Sequence, residues 1–378
     1  MKARKIVSLA VVAVLCVAGA FAKKITVKAT DGDFEFDVPK DFADLVQSRI
    51  DDINKALQEH GVDTDKLKKA QDAFNNAYDN LKDYLPTDKP FTVVQNGLDD
   101  FASDLRPTIA NAQTQQNVWA EAWIGNLVPG FHFGAGVNVG VSSMDISALK
   151  DAAVALGIDD AGDVPDKLAF PTITADLRLG GIILPFDVGF NAMKVNTSSL
   201  GRFSADIEPV GFDFFTIGGD VRWALIKGTS FLHPRVSVGA GAYYTKGFVS
   251  VSDDTAEAKL DFSATTFMLN TQASAKILFL VPFVGARALF AKTSVDWNVK
   301  ADWSKILTDS DDEGLLKDAL SWGLLPGRFS GGSSGFAVYP QVFAGLGLDL
   351  FVLNLTVSGS YDIVSQILSA AVSVRIAW

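Results

Sequence analysis

Ten charged side chains interrupt segments otherwise built of apolar and small residues: Asp176, Arg178, Asp187, Asp220, Arg222, Arg235, Lys276, Arg287, Asp349 and Arg375. Six are basic and four acidic, in a chain whose net charge is −11. Each falls in step with nearby Gly, Ser, Asn or Gln, so in an extended chain it shares their face and not the apolar one. Two kinds of chemistry suit such a set: pairing of opposite signs away from water, or the lining of a polar passage. Catalysis suits it less well. His60 precedes a turn glycine and His233 precedes Pro234. His132 shares a polar face with Asn138 and Ser142, which lie too far along a strand to act with it, and no nucleophile-elbow sequence occurs. The acidic run at 309–313 lacks the spacing and sixth-position glycine of a calcium-binding loop. The string "GAGVNVG" precedes no helix, which leaves a phosphate-binding turn without its anion site. No enzymatic activity, cofactor or metal site is expected.

The positions of these residues depend on the elements that carry them. The first residues, "MKARKIVSLAVVAVLCVAGAFAKK", combine a basic start, an apolar run and Ala20-Phe21-Ala22, a small-x-small cleavage signal. The reading is a secretory leader, 1–22, cut after Ala22. Cys16 is the only cysteine and would leave with it, so no disulfide is expected in the exported chain. Loss of three basic residues lowers the net charge to −14, and nucleic acid is not an expected partner. Mean hydropathy is +0.21, yet no stretch after the leader runs 18 residues without a polar interruption. An apolar exported chain without a spanning helix enters a bilayer only as a closed barrel, in which strands satisfy one another's backbone groups.

Two parts follow. Over 42–109 apolar residues recur at helical spacing in three stripes: Phe42 to Leu57, Leu67 to Leu81, and Leu98, Phe101, Leu105 and Ile109. The wider unit, 23–117, holds eighteen acidic and twelve basic residues. It is read as a mainly helical unit that either plugs a lumen or forms a periplasmic bundle. From Val118 the period becomes two. "FHFGAGVNVGVSS" sets Phe, Ala and Val against Gly, Asn and Ser, and the pattern recurs to the end of the chain. A soluble sheet would favour Lys and Glu on its wet face, whereas small polar residues suit an enclosed interior opposite lipid. Arg or Lys facing lipid at mid-depth would cost roughly 2–4 kcal/mol, so the ten charges are expected to face inward.

Eleven spans are read: 118–126, 130–142, 171–182, 185–195, 211–226, 234–252, 258–279, 282–299, 335–350, 351–363 and 366–378. "KKITVKATDGDFEFDV" is expected to add a twelfth by closing against the last. The fold expectation is a transmembrane antiparallel barrel over 118–378, of about twelve strands within a range of ten to fourteen. The turns in "NLVPGFHFG", "IILPFDVGF" and "FLVPFVGAR" are placed on its inner rim.

The chain ends "AAVSVRIAW", with Val372, Val374 and Ile376 alternating toward Trp378. Here it resembles the outer-membrane β-barrels of diderm bacteria, whose last strand carries a terminal aromatic residue. That resemblance implies an outer-membrane location, lipid as surroundings, and the barrel-assembly machinery as a partner that reads Val372, Val374, Ile376 and Trp378. Barrels of this class include the long-chain fatty-acid transporters, which carry a luminal N-terminal plug, but their Asn-Pro-Ala signature is absent here. The functional expectation is a channel or transporter for small molecules. The alternatives are a structural or adhesive surface protein anchored by its barrel, and a plugged fatty-acid-transporter-like barrel for hydrophobic substrates.

Overall fold

The computed structural model describes residues 22–29, 32–39, 68, 71–72, 90–115, 118–127, 130, 132–155, 165–196, 210–230, 233–252, 256–301 and 328–377. Ala20, His60, almost all of the first two helical stripes, the acidic run at 309–313 and Trp378 lie outside these residues.

Ten strands close into one antiparallel barrel in chain order: β3 (Phe133–Asp145), β4 (Lys167–Gly180), β5 (Phe186–Asn196), β6 (Val210–Ser230), β7 (His233–Ser252), β8 (Ala256–Ser274), β9 (Leu280–Ala301), β10 (Arg328–Leu350), β11 (Leu353–Asp362) and β12 (Leu368–Ala377). Closure is between β12 and β3, with Ile376 opposite Ala135 and Ser369 opposite Ser142. A closed ladder leaves no unpaired edge, which lets apolar strands exist without aggregating.

Ten strands fall at the lower end of the expected range, and two spans account for the difference from twelve. Residues 22–39 do not close against the last strand. Instead β1 (Ala22–Ala29) pairs with β2 (Gly32–Pro39) as a separate hairpin. Its turn joins strands two residues apart, so the local pairing closes at far lower entropic cost than one with a strand over 300 residues away. Its register also sets Lys24 opposite Asp37 and Lys28 opposite Asp33. The span 118–126 is not a strand. Its backbone groups find side-chain partners inside the barrel, as described below.

The alternation that defines the strands separates two environments. On β3, Val139 is 53% exposed on the outer face, while its neighbour Asn138 is 2% exposed on the inner face. Going round the outside, Lys167, Lys194, Asp213, Lys246 and Lys292 mark a level beyond which outward residues become polar. Below it the outer face of β9 reads Leu280, Pro282, Val284, Ala286, Ala288 and Phe290. This apolar belt with a polar interior is the division of a barrel that faces lipid. No described helix is long and apolar enough to cross a membrane.

The strand connections differ between the two rims. Residues 181–185, 275–279 and 351–352 make short turns on one rim, where β3 begins and β12 ends, and β6 and β7 are separated there by two residues of sequence. At the other rim the strands are linked by the short stretches 253–255 and 363–367 and by the longer ones 146–166, 197–209 and 302–327, the first of these three including α2 (Ser147–Ala155). This is the asymmetry expected from the apolar-Pro turns.

Helix α1 (Pro90–Gln115) runs inside the barrel, touching β3, β4, β7, β8, β9, β10 and β12. Its stripe of Leu98, Phe101, Leu105 and Ile109 packs on an inward cluster that includes Phe170, Phe214, Phe262, Val295 and Trp297. Phe214 meets Phe170 edge-on at 5.4 Å and Phe262 at 5.6 Å. An amphipathic helix draws most of its stability from packing its apolar face, and the barrel wall supplies the surface that the stripe of α1 requires.

Candidate functional site: the barrel interior

The inner wall holds two charge-paired groups, each containing one pair that reaches across an intervening strand. Arg375 on β12 grips Asp176 on β4 through Nε and Nη2 at 2.9 and 2.6 Å, and its Nη1 donates to Ser373 Oγ at 2.6 Å. Arg178 on β4 reaches Asp187 on β5 at 2.6 Å and Asp220 on β6 at 2.7 Å. Arg222 on β6 closes on the same Asp187 with Nε and Nη2, both at 2.9 Å. Signs alternate along Arg222, Asp187, Arg178 and Asp220, so the chain of four is neutral, and all four are buried.

Pairs two strands apart are about 9–10 Å apart at the backbone, and a glycine on the strand between lets the long side chains cross. Gly136 on β3 is in register with both Arg375 and Asp176. A Cβ there would sit 2.5 Å from Arg375 Cγ and 2.3 Å from the Val374 carbonyl oxygen. Gly189 on β5 plays the same part beneath Arg178 and Asp220, each 2.5 Å from where its Cβ would be. Replacing Gly136 by valine is therefore expected to lower stability by about 3 kcal/mol, through overpacking and displacement of a buried ion pair. Urea unfolding in micelles reads this, and Gly359→Ala, where the nearest atom is 3.6 Å away, should change it by less than about 0.5 kcal/mol.

Segment 118–127 crosses the lumen near the short-turn rim. Gln272 Nε2 donates to the Trp119 and Ala120 carbonyls at 2.6 and 3.1 Å, Ala122 N donates to Ser274 Oγ at 2.9 Å, and Ile124 N to Asp187 Oδ2 at 3.1 Å. Arg222 donates to the Glu121 carbonyl at 2.9 Å, while Arg235 binds the Glu121 carboxylate at 2.5 Å and the Trp123 carbonyl at 3.0 Å. These contacts replace the strand neighbours that the sequence pattern implied. Trp119 lies against both charge groups, its ring centroid 4.6 Å from the Arg375 guanidinium and 5.7 Å from that of Arg178, which favours the cations further through the ring face.

Helix α1 is held by hydrogen bonds, several of them involving charged groups. Gln113 Nε2 donates to Thr245 Oγ1 and its Oε1 accepts from Thr266 Oγ1, both at 2.5 Å. Asn111 Nδ2 donates to Asp362 Oδ2 at 2.9 Å and its Oδ1 accepts from Gln341, which in turn accepts from Arg287 Nε. Arg287 Nη1 also donates to the Thr114 carbonyl at 2.6 Å. Near the long-loop rim Asp99 accepts from Trp297 Nε1 at 2.7 Å and from Gly332 N at 2.9 Å. Among the described residues no ion pair joins α1 to a strand. Between the end of α1 and segment 118–127, a cavity bounded by Thr114, Val118, Arg222, Gln272 and Arg287 has a volume of about 10 Å³, room for a single water. A wider cleft of about 530 Å³ separates α1 from α2 and is lined by Asp100, Asp104 and Asp151. Burial there, with Asp145 and Asp100 nearby, holds the Asp104 carboxyl above its ordinary value.

Of the ten charges expected to face inward, Asp176, Arg178, Asp187, Asp220, Arg222, Arg287 and Arg375 are buried inside the barrel, and Arg235 is half-buried against Glu121. Lys276 and Asp349 pair with each other at the short-turn rim. His132 stands in the turn before β3, its ring against Gly130 and against Gly125 of the lumen-crossing segment. Sequence reasoning missed Asp362 and Glu121. Asp362 was legible, since it continues the inward series Asn354, Thr356, Ser358 and Ser360. Glu121 was hidden by the assignment of its segment to a strand. Val372, Val374 and Ile376 point outward.

No protein-family model matches the chain, and no curated protein matches its sequence. Among solved structures it is similar to the translocator domain of the autotransporter NalP from Neisseria meningitidis, at 8% identity and TM-score 0.33 over 74% of this chain and 95% of that one. A Pseudomonas aeruginosa FadL homologue aligns at 12% identity and TM-score 0.33, over 70% and 68%. The β domain of the Bordetella autotransporter BrkA aligns at 8% identity and TM-score 0.32, over 65% and 100%. The strand register and closure established above carry the fold assignment.

Proposed function

We propose that the protein is a bacterial outer-membrane barrel that passes small molecules through a lumen closed at rest by α1 and segment 118–127. The observation that carries this reading is the division of bonding inside the barrel. The wall pairs most of its buried charges with itself across Gly136 and Gly189, whereas α1, which makes no ion pair with a strand among the described residues, is held by an apolar stripe, by the Gln113 amide and by hydrogen bonds to Asp362, from Arg287 and from Trp297 to its own Asp99. Withdrawing α1 would exchange its hydrogen bonds for bonds to water, at a net cost of about 1 kcal/mol for each neutral one and about 1.5–3 kcal/mol for each to a charged group, and would expose its apolar stripe, but it would not break the two charge-paired groups of the wall. A helix so held suits a plug that moves.

In this reading the belt faces outer-membrane lipid, the barrel-assembly machinery reads the outward Val372, Val374 and Ile376 with Trp378, and the protein is not an enzyme. The long connections 146–166 and 302–327 favour a second reading, a surface protein whose barrel only anchors exposed loops. Planar-bilayer recording separates the two. The full chain should show a small, fluctuating conductance, and deletion of Pro90–Gln115 should give a folded barrel with a larger, steady one. Silence from both would favour the anchor.

A further inference from the structure

The tips of the short turns are apolar. Ile183 is 79% exposed, Leu278 83% and Phe351 100%. Leu278 and Phe351 also hold φ at 58° and 60°, a left-handed conformation that glycine or asparagine adopts readily and a bulky apolar residue does not. Turns that end in water have no use for such side chains, which here occupy three separate hairpins on one rim.

The height of the outer belt says what surrounds them. On β9 the outward residues from 280 to 290 are all apolar and Lys292 follows. At about 3.3 Å per residue and a tilt near 40°, that run rises about 25 Å, the full apolar height of such a barrel. No polar row is left between the belt and the turns. The exposed tips therefore continue the lipid-facing surface.

Resting on the membrane reading above, we propose that the short-turn rim is seated within the bilayer, with Ile183, Leu278 and Phe351 among the upper acyl carbons, and that this mouth of the barrel opens at the lipid headgroups and not in free water. The partner of this rim is the lipid leaflet, and not a protein.

The test uses the full chain in phosphatidylcholine vesicles, with Cys16→Ser and a polarity-sensitive fluorophore on a single cysteine at Phe351→Cys. Val284→Cys, mid-belt on β9, serves as the lipid reference, and Asp296→Cys, above Lys292, as the water reference. Quenching by lipids brominated high on the acyl chain at Phe351→Cys should come within twofold of that at Val284→Cys, and iodide quenching should be at least fivefold weaker than at Asp296→Cys. Iodide quenching at 351 equal to that at 296, with 284 still quenched by lipid, would overturn the inference, leave the membrane reading intact and point to a protein partner. Water-like behaviour at both 284 and 351 would overturn the membrane reading itself.

Discussion

Replacing Asp187 with alanine should destabilise the barrel by about 3–5 kcal/mol, the cost of leaving buried charge without its counter-charge. One carboxylate here accepts from Arg178 at 2.6 Å, from Arg222 at 2.9 Å through each oxygen, and from Ile124 N at 3.1 Å. Its loss leaves two guanidiniums facing each other with Asp220 as the remaining acid of the group, and frees the lumen-crossing segment at one of its anchors. Asp187→Asn keeps an acceptor but not the charge and should fall between alanine and the parent. Denaturant unfolding in micelles, with the slope unchanged, reads the difference as a shift in midpoint. A midpoint for the alanine variant within about 1 kcal/mol of the parent would show that the group is hydrated or paired otherwise.

The barrel was legible in the sequence because a two-residue period is a direct consequence of strand geometry, and the identity of the small polar face told inside from outside. Seven of the ten charges singled out on that face are buried in the wall, since parity alone places them. Partnership was not legible. Arg375 meets Asp176 and Arg178 meets Asp220 across a third strand, and only register shows that Gly136 and Gly189 lie beneath the crossings. Segment 118–127 misled because its apolar residues also alternate in part, while what decides its conformation is the set of distant side chains, Asp187, Arg222, Arg235, Gln272 and Ser274, that bond its backbone. The hairpin at 22–39 was misplaced for a related reason. Its pattern is that of a strand, and pattern does not say which partner is nearest in chain length. The third helical stripe was read as a packing surface with two partners left open, a lumen wall or a helical bundle, and it packs on the barrel wall.

The second large effect concerns α1. If it closes the lumen and must move for passage, fixing it to the wall should abolish conductance while leaving the fold unchanged. Gln113 of α1 and Thr266 of the wall strand β8 are bonded side chain to side chain, so cysteines at both positions, with Cys16→Ser, can be joined by a short reducible bis-thiol linker. The most direct measurement is single-channel recording of this double variant in planar bilayers before linking, after linking and after reduction. The linked protein should conduct at least tenfold less than the unlinked one, with full recovery on reduction. Equal conductance in the linked and unlinked states would contradict the account, because solute would then be passing without displacement of α1.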